Sequence, residues 1–295
     1  MKLTYLILLS QLNLLLSTFS IVAVDTATNE VGSAGASCIG NSAIISDIHP
    51  NLGVIPTQSY YTQYNQNYAS DLMELGLSPF EIIEMLEEND IQNNPSIRQY
   101  GIADLINGGQ SAAFTGESCI DYKGHIIGPN YAIQGNILLG DSILIKMEQN
   151  FINTEGNLSD KLMAAMQGAN ISGADTRCLE SNISSLSSFI RLAKPEDSLN
   201  NLYLDLRVTN TLGNAEPIDS LQVLYDNWII DNINFNSGDI NQDNIIDILD
   251  VIQLINFILG VTNFDFEESY LADCNNDDII NIQDIIIIVN YIINI

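Results

Sequence analysis

TFSIVAVDTATNEVGSAGAS, residues 18–37, is the stretch whose reading decides the fold. Its first part, 18–24, is β-branched and apolar, the composition of a buried strand. DTATNE at 25–30 is a polar turn, and 31–37 returns as the second strand of a hairpin. The Gly and Ala residues of that second strand admit a close backbone approach. Working outward, strand pattern recurs at 43–46 and 54–57. Two helices follow. One spans about 63–75, with Gly76 as its stop. The other is capped by Ser78, carries Pro79 and Glu81 in its first turn, ends near Asn89, and is expected to bury Phe80, Ile83 and Leu86 or their neighbours. Strands resume at 98–103, 111–115, 125–127 and 131–134. Helices fit 142–151 and 160–167, strands 184–192 and 202–208, and a last helix 217–228. Strands in groups separated by helix pairs give an α+β layered domain.

The 295 residues carry a formal net charge of −28, which argues against nucleic acid and anionic membranes as partners. Charged residues make up only 16% and hydrophobic ones 46%, so the chain is not an acidic disordered one. Lys2 followed by the apolar run 3–16 and Ser17 reads as an export signal over 1–17, so the mature chain is expected to be secreted and to have no transmembrane segment. Four cysteines suit an oxidising exterior. Cys38–Cys178 is the preferred disulfide, although spacing does not fix connectivity, and Cys274 is a candidate free thiol.

Near the C-terminus, GDINQDNIIDILD (238–250) is nearly repeated as ADCNNDDIINIQD (272–284), an offset of 34 residues. Oxygen-bearing side chains fall at Asp239, Asn241, Asp243, Asp247 and Asp250, then at Asp273, Asn275, Asp277, Asn281 and Asp284. These are positions 1, 3, 5, 9 and 12 of a twelve-residue calcium loop. Position 7 contributes a backbone carbonyl, here from Ile245 and Ile279. Position 6, which must turn sharply, holds Asn244 and Asp278, residue types that tolerate a left-handed backbone. Each loop runs into an apolar helix, 251–259 and 285–293. The spacing predicts two Ca2+ ions. With no Lys or Arg after Arg207, metal binding is expected to relieve carboxylate repulsion and to contribute folding free energy.

The tail, 238–295, resembles a type I dockerin: two loop–helix segments with Asp at position 12 and no entering helix before either loop. This resemblance implies a small all-α module docking onto a cohesin-like module of another protein. Partner choice would be read at Ile248, Leu249, Ile282 and Gln283. The basic residues usual on the family's helices are missing here. Dockerin company also implies a part in polysaccharide breakdown, hence a glycan substrate.

The preceding body resembles the bacterial family DUF1028, placed with the N-terminal nucleophile (Ntn) hydrolases. The residues behind this are 18–37, RQYGIAD at 98–104, AAFTGESCIDYKGHIIGPNYAIQGNIL at 112–138, GADTR at 173–177 and YLDLRV at 203–208. It implies a four-layer αββα sandwich over 18–232, with the dockerin-like module at 233–295. It also implies amide-bond hydrolysis of a peptide-like or cell-wall-like substrate by Thr18, provided the chain is cut before that residue; otherwise Thr18 is a strand residue. Ser37 is then expected near the Thr18 amine. His125 is either catalytic or structural. Gln134, Gly135 and Asn136 are expected to form a turn whose amides face an oxyanion. Asp175 and Arg177 form either a pocket pair or an ordinary salt bridge. The alternative for the whole core is a non-enzymatic binding or structural module delivered by the dockerin.

Overall fold

An apolar first strand and a small-residue second strand, buried almost throughout, make the hairpin at the start of the body into the centre of a sheet. The computed structural model describes residues 14–16, 18–211, 215–232, 237–275 and 279–293. Of the expected export signal, only Leu14–Leu16 fall within them, as strand β1. The hairpin is β2 (Thr18–Asp25) and β3 (Glu30–Ser37), joined by a polar turn in which Asp25 Oδ1 accepts from the Ala27 amide at 2.8 Å. Residues 42–45, expected to begin a strand, form a 3-10 turn instead; β4 is Ser46–His49 and β5 Gly53–Tyr61.

Helices α1 (Gln63–Glu74) and α2 (Pro79–Glu88) follow. Gly76, at φ 83°, stops the first of them. Ser78 and Glu81 close the expected capping box on α2. The buried face of α2 is Pro79, Ile82, Ile83 and Leu86, while Phe80 is 65% exposed. Phe80 lies one position out of phase with the 3.6-residue stripe. Strands β6 (Arg98–Asp104), β7 (Gln110–Thr115), β8 (Gly124–Ile127) and β9 (Tyr131–Asn136) come next. Then come α3 (Ser142–Asn153), α4 (Leu158–Gly168), β10 (Ser187–Ala193, starting later than expected), β11 (Leu204–Val208) and α5 (Pro217–Asn232).

All strand pairing is antiparallel. One sheet runs β1-β5-β6-β7, with β4 also on β5; the other runs β11-β10-β3-β2-β9-β8. Val22, Val24, Val31, Ala132 and Ala193 of the second sheet pack against Ile48, Val54 and Ala103 of the first. Helices α1 and α2 cover the first sheet through Leu72, Met73, Ile82 and Leu86 on Ile55, Tyr100 and Ile102. Helix α4 lies on β3 and β2. A Cβ at Gly32 would stand 2.7 Å from Leu162 Cδ1, so this glycine leaves room for the Leu162 side chain against the sheet.

The chain divides into two compact units, Met1–Leu224 and Tyr225–Ile295. In the second, α6 (Ile248–Ile258), α7 (Phe266–Ala272) and α8 (Ile282–Ile293) enclose Ile240, Val251, Leu254, Ala272 and Ile288. Among the described residues, no helix is long and apolar enough to cross a membrane.

Asp104, at the end of β6, is fully buried, and burial pushes its carboxyl up to about 6, only partly offset by the amides of Ile106 and Gln110. A carboxyl raised on folding stabilises the native state below its unfolded pKa of about 3.9 and loses that contribution as pH rises through 6. Asp104→Asn should therefore remove part of the fall in stability between pH 4 and 8. Urea midpoints should show a relative gain of about 1–2 kcal/mol at the higher pH.

Candidate functional site

Three strand ends and one loop meet at Thr18. The β2–β9 register sets Thr18 opposite Asn136, and the β2–β3 register, with Phe19 opposite Ala36, brings Thr18 level with Ser37. The loop 175–178 docks alongside: the Thr176 amide donates to Ile137 O at 3.1 Å, and Leu138 bridges Asp175. A disulfide between Cys38 and Cys178 closes the junction covalently. Thr18 is completely buried, and its Oγ1 has no hydrogen-bond partner among the described residues.

Asp175 organises the loop. Its buried carboxylate accepts from the Cys38 amide at 2.7 Å and from Arg177 at N (3.1 Å), Nε (3.1 Å) and Nη2 (2.8 Å). Such a bidentate pair fixes the plane of the guanidinium. Arg177 Nη2 in turn donates to Ser37 Oγ at 3.3 Å. Thus Thr18, Ser37, Asn136, Asp175 and Arg177 do converge.

Gln134, Gly135 and Asn136 are not a turn; they are strand β9, and Gly135 is paired on both sides, with Phe19 and Gly124. What this stretch offers is side-chain amides. His125 is exposed on β8, and its Nδ1 shares a 2.9 Å hydrogen bond with Thr115 Oγ1 rather than with any of the five.

Sequence reasoning missed the buried amide network that joins the two sheets behind Thr18. Gln58 Nε2 donates to Thr18 O (3.3 Å) and Gln99 Oε1 (2.7 Å), and Ser20 Oγ donates to Gln58 Oε1 (2.7 Å). Asn136 Nδ2 donates to Gln99 Oε1 at 2.9 Å. Gln99 Nε2 reaches Thr115 Oγ1 (2.9 Å), Gly135 O (2.9 Å) and Gly124 O (3.1 Å), which links His125 to the same network. Gln134 Nε2 donates to Ser20 Oγ at 2.6 Å. Buried amides of this kind cost about 1–3 kcal/mol each if left unpaired, so the network fixes the spacing of the sheets. The available signal was polar residues interrupting strands that read as buried on both faces. Backbone strain gathers here as well. Ile137 has φ 56° and Ser59 φ 68°, left-handed values that a β-branched residue in particular avoids.

In the second unit, the first oxygen-rich loop is folded back on itself. Asp239 accepts from the amides of Asp243 (3.2 Å) and Asn244 (2.9 Å), and Asp250 from those of Ile240 (2.8 Å), Asn241 (3.0 Å) and Asp247 (2.9 Å). Asp284 repeats this with Cys274 (2.9 Å), Asn275 (3.4 Å) and Asn281 (2.8 Å). Asn244 is left-handed at φ 67°, as its loop position demands. The donors are hard oxygens, and they fit a hard cation better than a soft one. Among the described residues, no three His, Cys, Asp or Glu side chains form a ready metal cluster; much of the carboxylate capacity is spent on loop amides. Asp277 and Asp278 lie outside the described residues. Helix α7 leads directly into the second loop, contrary to the expectation of no entering helix. Ile248 and Ile282 are 59% and 61% exposed, and Leu249 and Gln283 are exposed too. Cys274 is a free thiol, as is buried Cys119.

Gly101 makes room for the amide network: a Cβ there would overlap Gln134 Oε1. Gly101→Ala should cost about 1–3 kcal/mol by overpacking. Gln134→Ala in the same chain should recover part of that loss, a coupling that a double-mutant cycle in urea reads directly.

The sequence profile described as "Family of unknown function (DUF1028)" matches residues 18–221, and that of the type I dockerin domain matches 237–293. A DUF1028 protein of known structure from Silicibacter pomeroyi is 23% identical, with a TM-score of 0.59 over 72% of this chain and 88% of its own; it bears on the fold alone. Anbu (ancestral beta-subunit) from Yersinia bercovieri gives 0.38 at 11% identity, over 73% of this chain and 96% of its own. A Gly-1 mutant of Anbu from Hyphomicrobium sp. strain MC1 gives 0.41 at 9%, over 73% and 95%. Likeness at those two scores carries no argument. No curated protein matches the chain. By its sequence from residue 18 to 221 the chain belongs to the DUF1028 family, and it carries a type I dockerin domain at 237–293.

Proposed function

We propose that the core, 18–232, is a four-layer αββα Ntn-type hydrolase that cleaves amide bonds of a peptide-like substrate, and that the tail, 233–295, tethers it to an extracellular assembly. The observation that carries the first half is the Thr18 hydroxyl: buried, without a hydrogen-bond partner among the described residues, and set beside Ser37, Asn136 and the Asp175–Arg177 pair. With the chain cut before Thr18, its α-amine, of ordinary pKa about 7.7–8.0, is a competent base at neutral pH. The amine takes the hydroxyl proton as Oγ1 attacks the substrate carbonyl. The tetrahedral intermediate then collapses as the leaving amine takes that proton. Water, deprotonated by the same amine, hydrolyses the resulting Thr18 ester. Arg177, held in plane by Asp175, and the Asn136 side-chain amide, on the residue paired with Thr18, would serve as donors to the developing charge.

The competing reading is a binding module, favoured by the complete burial of Thr18 in the uncut chain. Glycan binding, suggested by dockerin company alone, would fall under it. Mass spectrometry of exported protein should find a chain beginning at Thr18. Hydrolysis of amide substrates should fall by at least about 10³-fold in Thr18→Ala, as for loss of a nucleophile. A mature chain starting elsewhere rules out the mechanism.

In the tail, Asp239, Asn241, Asp243, the Ile245 carbonyl, Asp247 and Asp250 would hold one Ca2+. Asp273, Asn275, Asp277, the Ile279 carbonyl, Asn281 and Asp284 would hold a second. The metal neutralises carboxylates that no basic residue after Arg207 offsets, and a cohesin-like module would dock on the helices it steadies. Free calcium at about a hundredfold over Kd should stabilise this unit by about 2.7 kcal/mol over its chelated form. Asp239→Ala should remove part of that gain. Melting of 233–295 that is identical in EDTA and in calcium would end the metal assignment.

A further inference from the structure

Strand β11 closes one end of the six-stranded sheet, and among the described residues only β10 pairs with it. Its outer edge is a row of backbone N–H and C=O groups open to another strand. Along that edge run Leu204, Asp205, Leu206, Arg207 and Val208, with one acid and one base on either side of the central leucine. Period-two alternation puts both charges on one face. Both are exposed: Arg207 Nε and Nη2 donate to Asp205 Oδ1 and Oδ2 at 2.6 Å each, and Arg191 Nε on β10 donates to Asp205 Oδ2 at 3.2 Å. By contrast β7 and β8, which also end a sheet, contain no Lys, Arg, Asp or Glu. The chain has nine basic residues and a net charge of −28, so two copies repel over most of their surfaces. Residues 191–207 hold three of those nine, Arg191, Lys194 and Arg207, against three acids, Glu196, Asp197 and Asp205, a local balance of zero. Salt screens charges beyond about 8 Å, so this local balance governs an approach at β11.

We propose that β11 is the interface of a homodimer, in which two copies of the chain pair their β11 strands antiparallel about a two-fold axis at Leu206. Two six-stranded sheets then become one continuous sheet. With Leu206 opposite Leu206 of the second copy, each Asp205 stands opposite an Arg207, and each Leu204 opposite a Val208. The two-fold axis forms both ion pairs at once, as an isologous interface requires. Opposite charges facing across a strand pair stabilise it, and like charges oppose it. The charge pattern therefore selects both direction and register. Parallel pairing in register would set Asp205 against Asp205 and Arg207 against Arg207, and an axis moved to either charged residue would set that residue against its own copy. Nothing in this pairing requires Thr18 to be a nucleophile. The dimer presents two dockerin domains, one from each copy, which raises avidity for a surface bearing several docking modules.

Sedimentation velocity on the full chain at about 100 μM should show a dimer. Arg207→Asp sets two acid–acid pairs across the axis, and Asp205→Arg sets two base–base pairs. Each substitution alone should raise the dimer Kd by about tenfold or more. An equimolar mixture of the two variants places opposite charges together again on both sides of the axis. It should sediment as a mixed dimer at a concentration where each variant alone is a monomer. Mixing cannot mend a strand damaged within its own chain, so the recovery reads the contact between copies. A monomeric unsubstituted chain, a dimer indifferent to both substitutions, or a mixture that associates no better than its components overturns the proposal. Asp205→Arg also loses the Arg191 contact. If that variant does not fold, Leu206→Cys is read instead. Mild oxidation should then link two copies through position 206, identified by mass spectrometry of the disulfide-linked peptide, and reduction should release them. The absence of that link overturns the proposal.

Discussion

Two β-sheets that lie face to face with polar residues between them must pair most of the amide groups in the gap. In this protein Gln99 answers that constraint from the centre. It accepts from Gln58 and Asn136 and donates to Thr115, Gly124 and Gly135. Apolar contacts such as Val22 and Val54 hold the sheets together at one end, and this network sets their separation at the other. The Thr18 carbonyl is one of its acceptors. The start of β2 is therefore held by a rigid polar floor, which is what a group poised for chemistry requires.

The neighbouring loop solves a different problem. A guanidinium beside a buried junction must be held without consuming all its donors. Asp175 does so with a carboxylate that also takes a backbone amide from the next strand end, while Nη2, bonded to Asp175, also reaches Ser37. The second unit uses the same device at Asp250 and Asp284, where one carboxylate gathers several loop amides. In both places one acidic side chain ties down the backbone of a loop.

Legibility in the sequence followed the strength of local signals. The hairpin was readable because a β-branched, apolar run and a small-residue run flank a polar turn. The ends of α2 were readable because Ser78, Pro79 and Glu81 each satisfy a backbone group. Its buried face was less so, since Phe80 is apolar yet out of phase. The calcium-type loops were readable because oxygen ligands recur at fixed spacing, whereas the seven-residue α7 was too short to show a period. Gln58 and Gln99 were invisible as site residues because a glutamine inside a strand looks the same whether it faces water or a buried amide. Strand β1 was hidden inside a leucine run that reads equally as an export signal, and only long-range pairing with β5 distinguishes its place.

The Cys38–Cys178 bridge spans a sequence separation of 140 residues. It encloses β4 to β9, α1 to α4 and the loop that carries Arg177. A protease nick at any surface turn within that span would leave both fragments joined, running as one band on a non-reducing gel and as two after reduction. An intact band is therefore no proof of an intact backbone, and the integrity of a preparation has to be judged with the thiols reduced.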